Sequence, residues 1–242
     1  MSPTLLAHQF RTLLRRGRLI GLLLLAIVPA VIVLVVGLAE GPNPDLVADG
    51  VAGLASTTFP IAALILAAAT LRDERDAGTL PYIYLKPISR FGLAVTSVVA
   101  AASATAVLGL TAAAALVGSA AVVGADMGAA TASIPLYLAV AVGYSAMFVP
   151  LGYLLPRIVL IGLAYVILWE QVIARLVTGV ANTSVWRFAL SIYADIVGDQ
   201  DLLSEALGPV APGAWGGVAK IGVVVTLGVG LLTWTLRWRD AV

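Results

Sequence analysis

The chain has 242 residues, of which 61% are hydrophobic and 11% charged, with a net charge of +1. Soluble domains carry about 25% charged residues, so a soluble class is excluded, and the near-neutral balance implies no nucleic-acid partner. With no cysteine in the chain, neither a disulfide framework nor thiolate chemistry is possible.

Residues 3–18 (PTLLAHQFRTLLRRGR) open the chain with an amphipathic pattern. Leu6, Phe10, Leu13 and Leu14 recur at helical spacing while Arg11, Arg15 and Arg18 line another face, which predicts a helix lying in a membrane interface. His8 is the only histidine. It is read as a polar interfacial residue, because no second His or Cys exists to share a metal.

A helix needs about 20 apolar residues to cross a bilayer, and six stretches qualify. They are Leu19–Leu38, Val51–Leu71, a run within Phe91–Gly124, Ile134–Leu155, Ile158–Gly179 and Gly216–Leu236. The first is longer than the 7–15-residue core of a cleaved signal and is expected to stay as a helix. The third is either one long tilted helix or a helix with an interfacial turn. Its Ala100, Ala104 and Leu108, or Ala101, Thr105 and Gly109, would form neighbouring stripes of the kind that let helices approach closely in lipid. Pro29, Pro60, Pro150 and Pro156 can kink or end their helices.

Six spans put both termini on one side. With the N-terminus inside, the inner segments hold Arg11, Arg15, Arg16, Arg18, Arg72, Arg75, Lys86, Arg90, Arg157, Arg237 and Arg239, against Arg175, Arg187 and Lys220 outside. Lys and Arg accumulate in cytoplasmic loops. The expectation is therefore an all-α integral membrane protein, N-in and C-in, with residues 1–242 as a single transmembrane domain.

The longest outer segment is 180–215. Asn182-Thr183-Ser184 predicts a helix cap. After it Val185, Phe188, Ala189, Ile192, Tyr193 and Ile196 recur at helical spacing. Trp186 and Tyr193 suit the headgroup level. The reading is a short interfacial or re-entrant helix, then an acidic GDQD turn and a break through Pro209 and Pro212.

Residues 72–90 are the largest inner loop. Arg72, Asp73, Glu74, Arg75 and Asp76 are predicted to carry the second span's helix onward with local ion pairing. Gly78 breaks it. Thr79 then caps a short helix within 79–86, Leu80–Leu85, which presents Tyr82, Ile83 and Tyr84. Pro87 ends it, and Ser89 caps the third span. A helix this short is unstable alone and must pack on its own bundle or on a partner.

The string E-R-D-A-G-T-L-P followed by P-I-S-R resembles the cytoplasmic loop of ABC-2-type transporter permeases, at Glu74, Gly78, Thr79, Leu80, Pro87, Ser89 and Arg90. The N-in six-span layout, the amphipathic start, Trp169-Glu170 in the fifth span and the Arg237-Trp238-Arg239-Asp240 tail are similar as well. Many members carry a Lys a few residues into the third span, where this chain has Ser97.

The resemblance implies the permease subunit of an ATP-driven transporter in the plasma membrane of a prokaryote, with export the expected direction. It implies that two permease copies pair and that two separate ATPase subunits dock through the coupling helix at Tyr82, Ile83 and Tyr84. ATP and Mg would be bound by those subunits and no cofactor by this chain, which has no G-x-x-x-x-G-K-[ST] loop.

Glu170 and Arg175 are ionisable groups within the fifth span. Intramembrane carboxylates face a cavity or a partner. A bonding role within the bundle is favoured here over a place in the substrate path, with the partner coming from another helix. Among other functions, a secondary transporter or channel would need more such groups and an internal repeat. A non-transporting assembly subunit is a further alternative. A membrane enzyme has little chemistry to work with in spans without facing carboxylates. The substrate is not legible.

Overall fold

A bilayer offers no water to the backbone, so a spanning chain must satisfy its N–H and C=O groups internally. The computed structural model describes residues 3–14, 16–41, 43, 45–76, 78, 89–174, 182–198 and 212–238, and among these the regular structure is helical, with no strand.

The elements are α1 (Pro3–Leu13), α2 (Arg16–Glu40), α3, α4 (Arg90–Val123), α5 (Met127–Leu154), α6, α7 (Val185–Val197) and α8 (Gly213–Trp238). Helix α3 runs through three consecutive pieces: Leu46–Asp49, a π-helical Gly50–Ala55 and Ser56–Asp76. Helix α6 is α-helical over Ile158–Ala164 and π-helical over Tyr165–Ile173.

Among the described residues five helices are long and apolar enough to cross a membrane: α2, α3, α4, α5 and α8. They mark a multi-pass membrane protein. The expected fifth span is represented by α6, a shorter apolar helix, Ile158–Ile173. Residues 175–179 of that expected span, Arg175 included, lie outside the described residues, as do the expected coupling helix and the GDQD turn after Gly198.

Helices α4 and α5 form the centre. Helix α4 packs on α2, α3, α5 and α8, and α5 packs on α3, α4, α7 and α8. Both small-residue stripes expected on the third span are buried. A side-chain carbon at Gly109 would lie 2.9 Å from the Tyr137 Cβ, and one at Gly152 would lie 2.8 Å from the Ala68 carbonyl oxygen. Small residues thus set the α4–α5 and α3–α5 approach, as they do generally in lipid.

The third apolar run is one unbroken 34-residue helix. Ser89 caps it as expected, accepting the Gly92 N–H at 3.0 Å. It stops at Gly124, whose φ of 71° suits a glycine at a helix end. Asp126 then accepts the Gly128 N–H at 2.7 Å and starts α5 well before the expected Ile134.

The two helices expected at the membrane interface both pack on the bundle. Helix α1 packs on α4 and α3. Its buried stripe is Leu5, Gln9 and Leu13, centred on a polar residue that the apolar count passed over. Helix α7 is buried from Val185 to Ala194, packed on α5 and α8. Trp186 and Tyr193 are 5% and 0% exposed, so both rings face protein.

Exposed apolar side chains remain on α2 (Ile20, Leu24, Val35, Leu38) and α8 (Val223, Leu227, Trp234). Trp215 and Trp238, 87% and 75% exposed, mark the two ends of α8. They lie about 34 Å apart along the axis, close to the ~30 Å hydrocarbon thickness with an aromatic belt at each side.

Candidate functional site

Helix α6 leaves the α1 end of the bundle and becomes π-helical at Tyr165. In a π-helix the backbone bonds link residues five apart. That spacing brings Tyr165 and Glu170 together, and the Tyr165 hydroxyl donates to Glu170 Oε1 at 3.0 Å. From α5, the fully buried Tyr144 donates to the same oxygen at 2.8 Å. The Ser184 hydroxyl donates to Glu170 Oε2.

Ser184 is the N-cap of α7 and accepts the Arg187 N–H at 3.2 Å. Glu170, only 5% exposed, therefore sits at the first turn of α7. A helix N-terminus carries unpaired N–H groups and the positive end of the dipole. A carboxylate has about four acceptor positions, and three hydroxyls occupy three of them. The buried carboxyl group is held by hydrogen bonds beside the helix end. This geometry fixes where α7 begins. Glu170 lies about 15 Å from the α1 end of α5, measured through Tyr144, and about 26 Å from the other end.

The cap triplet is used in full. Thr183 accepts from Trp169 Nε1 at 3.2 Å, and Asn182 accepts from Lys220 Nζ at 2.8 Å. An aromatic wall surrounds the carboxylate. Tyr144 stacks on Phe148 at 5.5 Å, Phe148 meets Tyr165 edge-on at 6.1 Å, and Tyr165 stacks on Trp169 at 6.5 Å. Next to Glu170, Gln171 donates to the Ser56 carbonyl at 2.9 Å and is 3.1 Å from its hydroxyl. This joins the π-helical part of α6 to the end of the π-helical part of α3.

A second polar cluster lies at the α1 end, where α3 stops. His8 Nε2 is 3.2 Å from Glu74 Oε1, Gln9 donates to Ser97 at 3.2 Å, and Arg18 donates to Asp73 at 2.8 Å. Arg75 donates to the Tyr153 carbonyl at 3.0 Å. Asp73, Glu74 and Arg75 thus reach other elements. Glu74, 7% exposed, is turned into the bundle against α1.

Of the expected docking residues, Gly78 has a φ of 67° and donates to the Arg75 carbonyl at 3.1 Å, ending α3 as expected. Arg90 is half-buried at the start of α4. Thr79, Leu80, Tyr82, Ile83, Tyr84 and Pro87 lie outside the described residues.

Sequence reasoning missed Tyr144, Tyr165, Gln171, Gln9 and Ser97. The signal for Tyr165 was its five-residue spacing from Glu170, which only a π-helical segment makes meaningful. Among the described residues no group of three His, Asp or Glu could hold a metal ion.

No protein-family model matches the chain, and no curated protein matches it.

Proposed function

We propose that this chain is the permease subunit of an ABC-2-type ATP-driven transporter, working as an exporter from a prokaryotic plasma membrane. The observation that carries the reading is the string ERDAGTLP…PISR, placed between the second and third apolar helices. The bundle geometry is compatible with it. Residues Asp73, Glu74 and Arg75 tie the start of this loop to α2, α1 and α5, and Ser89 ties its end to α4. A short helix on such anchored ends can pass a push from a docked partner into the bundle.

In this reading the α1 end is cytoplasmic, where the arginines gather. Helix α6 with the following segment makes the fifth of six crossings, and α7 is a re-entrant piece. The coupling helix within 79–86 docks a separate ATPase, which binds ATP and Mg, and two permease copies pair through exposed apolar faces.

The experiment is co-purification. An ATPase subunit is expected to co-purify with the wild type and to be lost when Tyr82, Ile83 and Tyr84 are replaced together by Ser. Retention by the triple variant would sink the coupling proposal.

A further inference from the structure

A cavity of about 270 Å³ opens at the α1 end between α2, α3 and α6, lined by Arg18, Ile65, Ala68, Arg72, Asp73 and Val159, with Ala69 beside them. Its polar and apolar linings are segregated. Arg18, Arg72 and Asp73 form one end. Ile65, Ala68 and Ala69 precede Arg72 on α3 and continue about 10 Å along the helix toward the middle of the bundle.

Two guanidinium groups and one carboxylate line the polar end. Asp73 accepts from Arg18 Nη2 at 2.8 Å. The Arg18 Nη1 is enclosed and has no hydrogen-bond partner. A buried N–H without an acceptor is costly, and a guanidinium presents its donors as a fork matched to phosphate oxygens.

We propose that this cavity binds the phosphate headgroup of an anionic membrane lipid. The phosphate sits between Arg18 and Arg72, and the upper part of one acyl chain lies along Ile65, Ala68, Ala69 and Val159. The volume is just under the ~300 Å³ of the smallest drug-sized pockets. It holds a headgroup and the first chain carbons, with the remaining tail in the bilayer. Basic pockets between membrane helices recognise lipid headgroups in this way. A free phosphate would make the same contacts to the arginines and gain nothing from the apolar wall, so the wall is what selects a lipid.

The test is native mass spectrometry of the purified full chain in detergent, titrated with phosphatidylglycerol, phosphatidylcholine or inorganic phosphate. Wild type is expected to bind phosphatidylglycerol at least tenfold more tightly than phosphatidylcholine. Arg72→Gln should weaken phosphatidylglycerol binding roughly fivefold, the worth of one basic residue near an anionic surface. Arg237→Gln, a basic residue outside the cavity, should leave it unchanged. Val159→Phe fills the apolar wall with both arginines intact and should also lose the lipid. It decides the matter alone if Arg72→Gln fails to fold. Equal binding of the two lipids, or an undiminished affinity in Val159→Phe, would overturn the proposal. Millimolar inorganic phosphate displacing the lipid from wild type would assign the site to free phosphate instead and overturn the lipid.

Discussion

The Tyr165 hydroxyl donates to Glu170 across a five-residue step within one helix, at 3.0 Å. In an α-helix residues three and four apart are neighbours and residues five apart diverge. The π-helical stretch Tyr165–Ile173 is what makes this pair possible. It also turns the Glu170 carboxylate toward Tyr144 and the first turn of α7.

Glu170→Ala leaves the Tyr144, Tyr165 and Ser184 hydroxyls without their acceptor. Each unsatisfied buried group costs about 1–3 kcal/mol, so a loss of about 3 kcal/mol or more is expected. Glu170→Gln keeps one acceptor oxygen and should lose about half as much. Unfolding of the purified chain in detergent measures both. If Glu170→Gln keeps normal stability and assembly while transport stops, the carboxylate does more than hold α7 in place.

Ser and Asp are equally good N-caps in general. At position 184 they should differ sharply. Ser184→Ala removes a cap and is expected to cost about 1–2 kcal/mol. Ser184→Asp keeps a capping acceptor but sets a second carboxylate against Glu170, and like charges at one buried site repel. The expected order of stability is Ser, then Ala, then Asp. An Asp variant as stable as wild type would contradict the placement of Glu170 at this helix end.

Two glycines should respond with opposite signs to the same change. Gly152→Ala drives a methyl group against the Ala68 backbone, 2.8 Å away, and overpacking of this kind costs about 1–3 kcal/mol. Gly222 has open space around it. Gly222→Ala should be neutral or stabilise α8 by up to about 1 kcal/mol, the helix preference of Ala over Gly. Thermal melts of the two variants side by side check the sign.

Gln9 and Ser97 are both buried and bonded at 3.2 Å. A double-mutant cycle with Gln9→Ala and Ser97→Ala should show a coupling of about 0.5–1.5 kcal/mol. A coupling near zero would mean that α1 is not held to α4 by this contact.

The absence of cysteine makes membrane sidedness directly testable. Ala7→Cys, exposed on α1, is expected to react with an impermeant maleimide only after cells are opened. Asp45→Cys, exposed at the other end, should react in intact cells. The reverse pattern would overturn the N-in orientation.

The long apolar runs made the helices legible, because hydropathy over about 20 residues is a strong signal. Ser89, Gly78 and Ser184 were legible as helix boundaries, since capping and helix-breaking depend on local chemistry. The buried stripe of α1 was misjudged, because Gln9 is polar and its burial depends on Ser97 across the bundle. The burial of α7 was hidden for a related reason. A helix with tyrosine and tryptophan reads as interfacial until α5 and α8 are seen to enclose it. The Glu170 cluster was half legible. The residue stood out as an isolated charge, but two of its partners are tyrosines inside apolar runs and one depends on a π-helical turn. None of these has a local sequence pattern.

The 13-residue α7 also constrains biogenesis. It measures about 20 Å, short of the ~30 Å hydrocarbon layer, so the insertion machinery has no full-length span to recognise in it. Its walls are α5 and α8, and α8 is made after it. Helix α7 must therefore wait, as nascent chain, for a slot that α8 closes. Truncation before Gly213 would remove that slot along with the helix, leaving the Ser184–Glu170 contact without its enclosure.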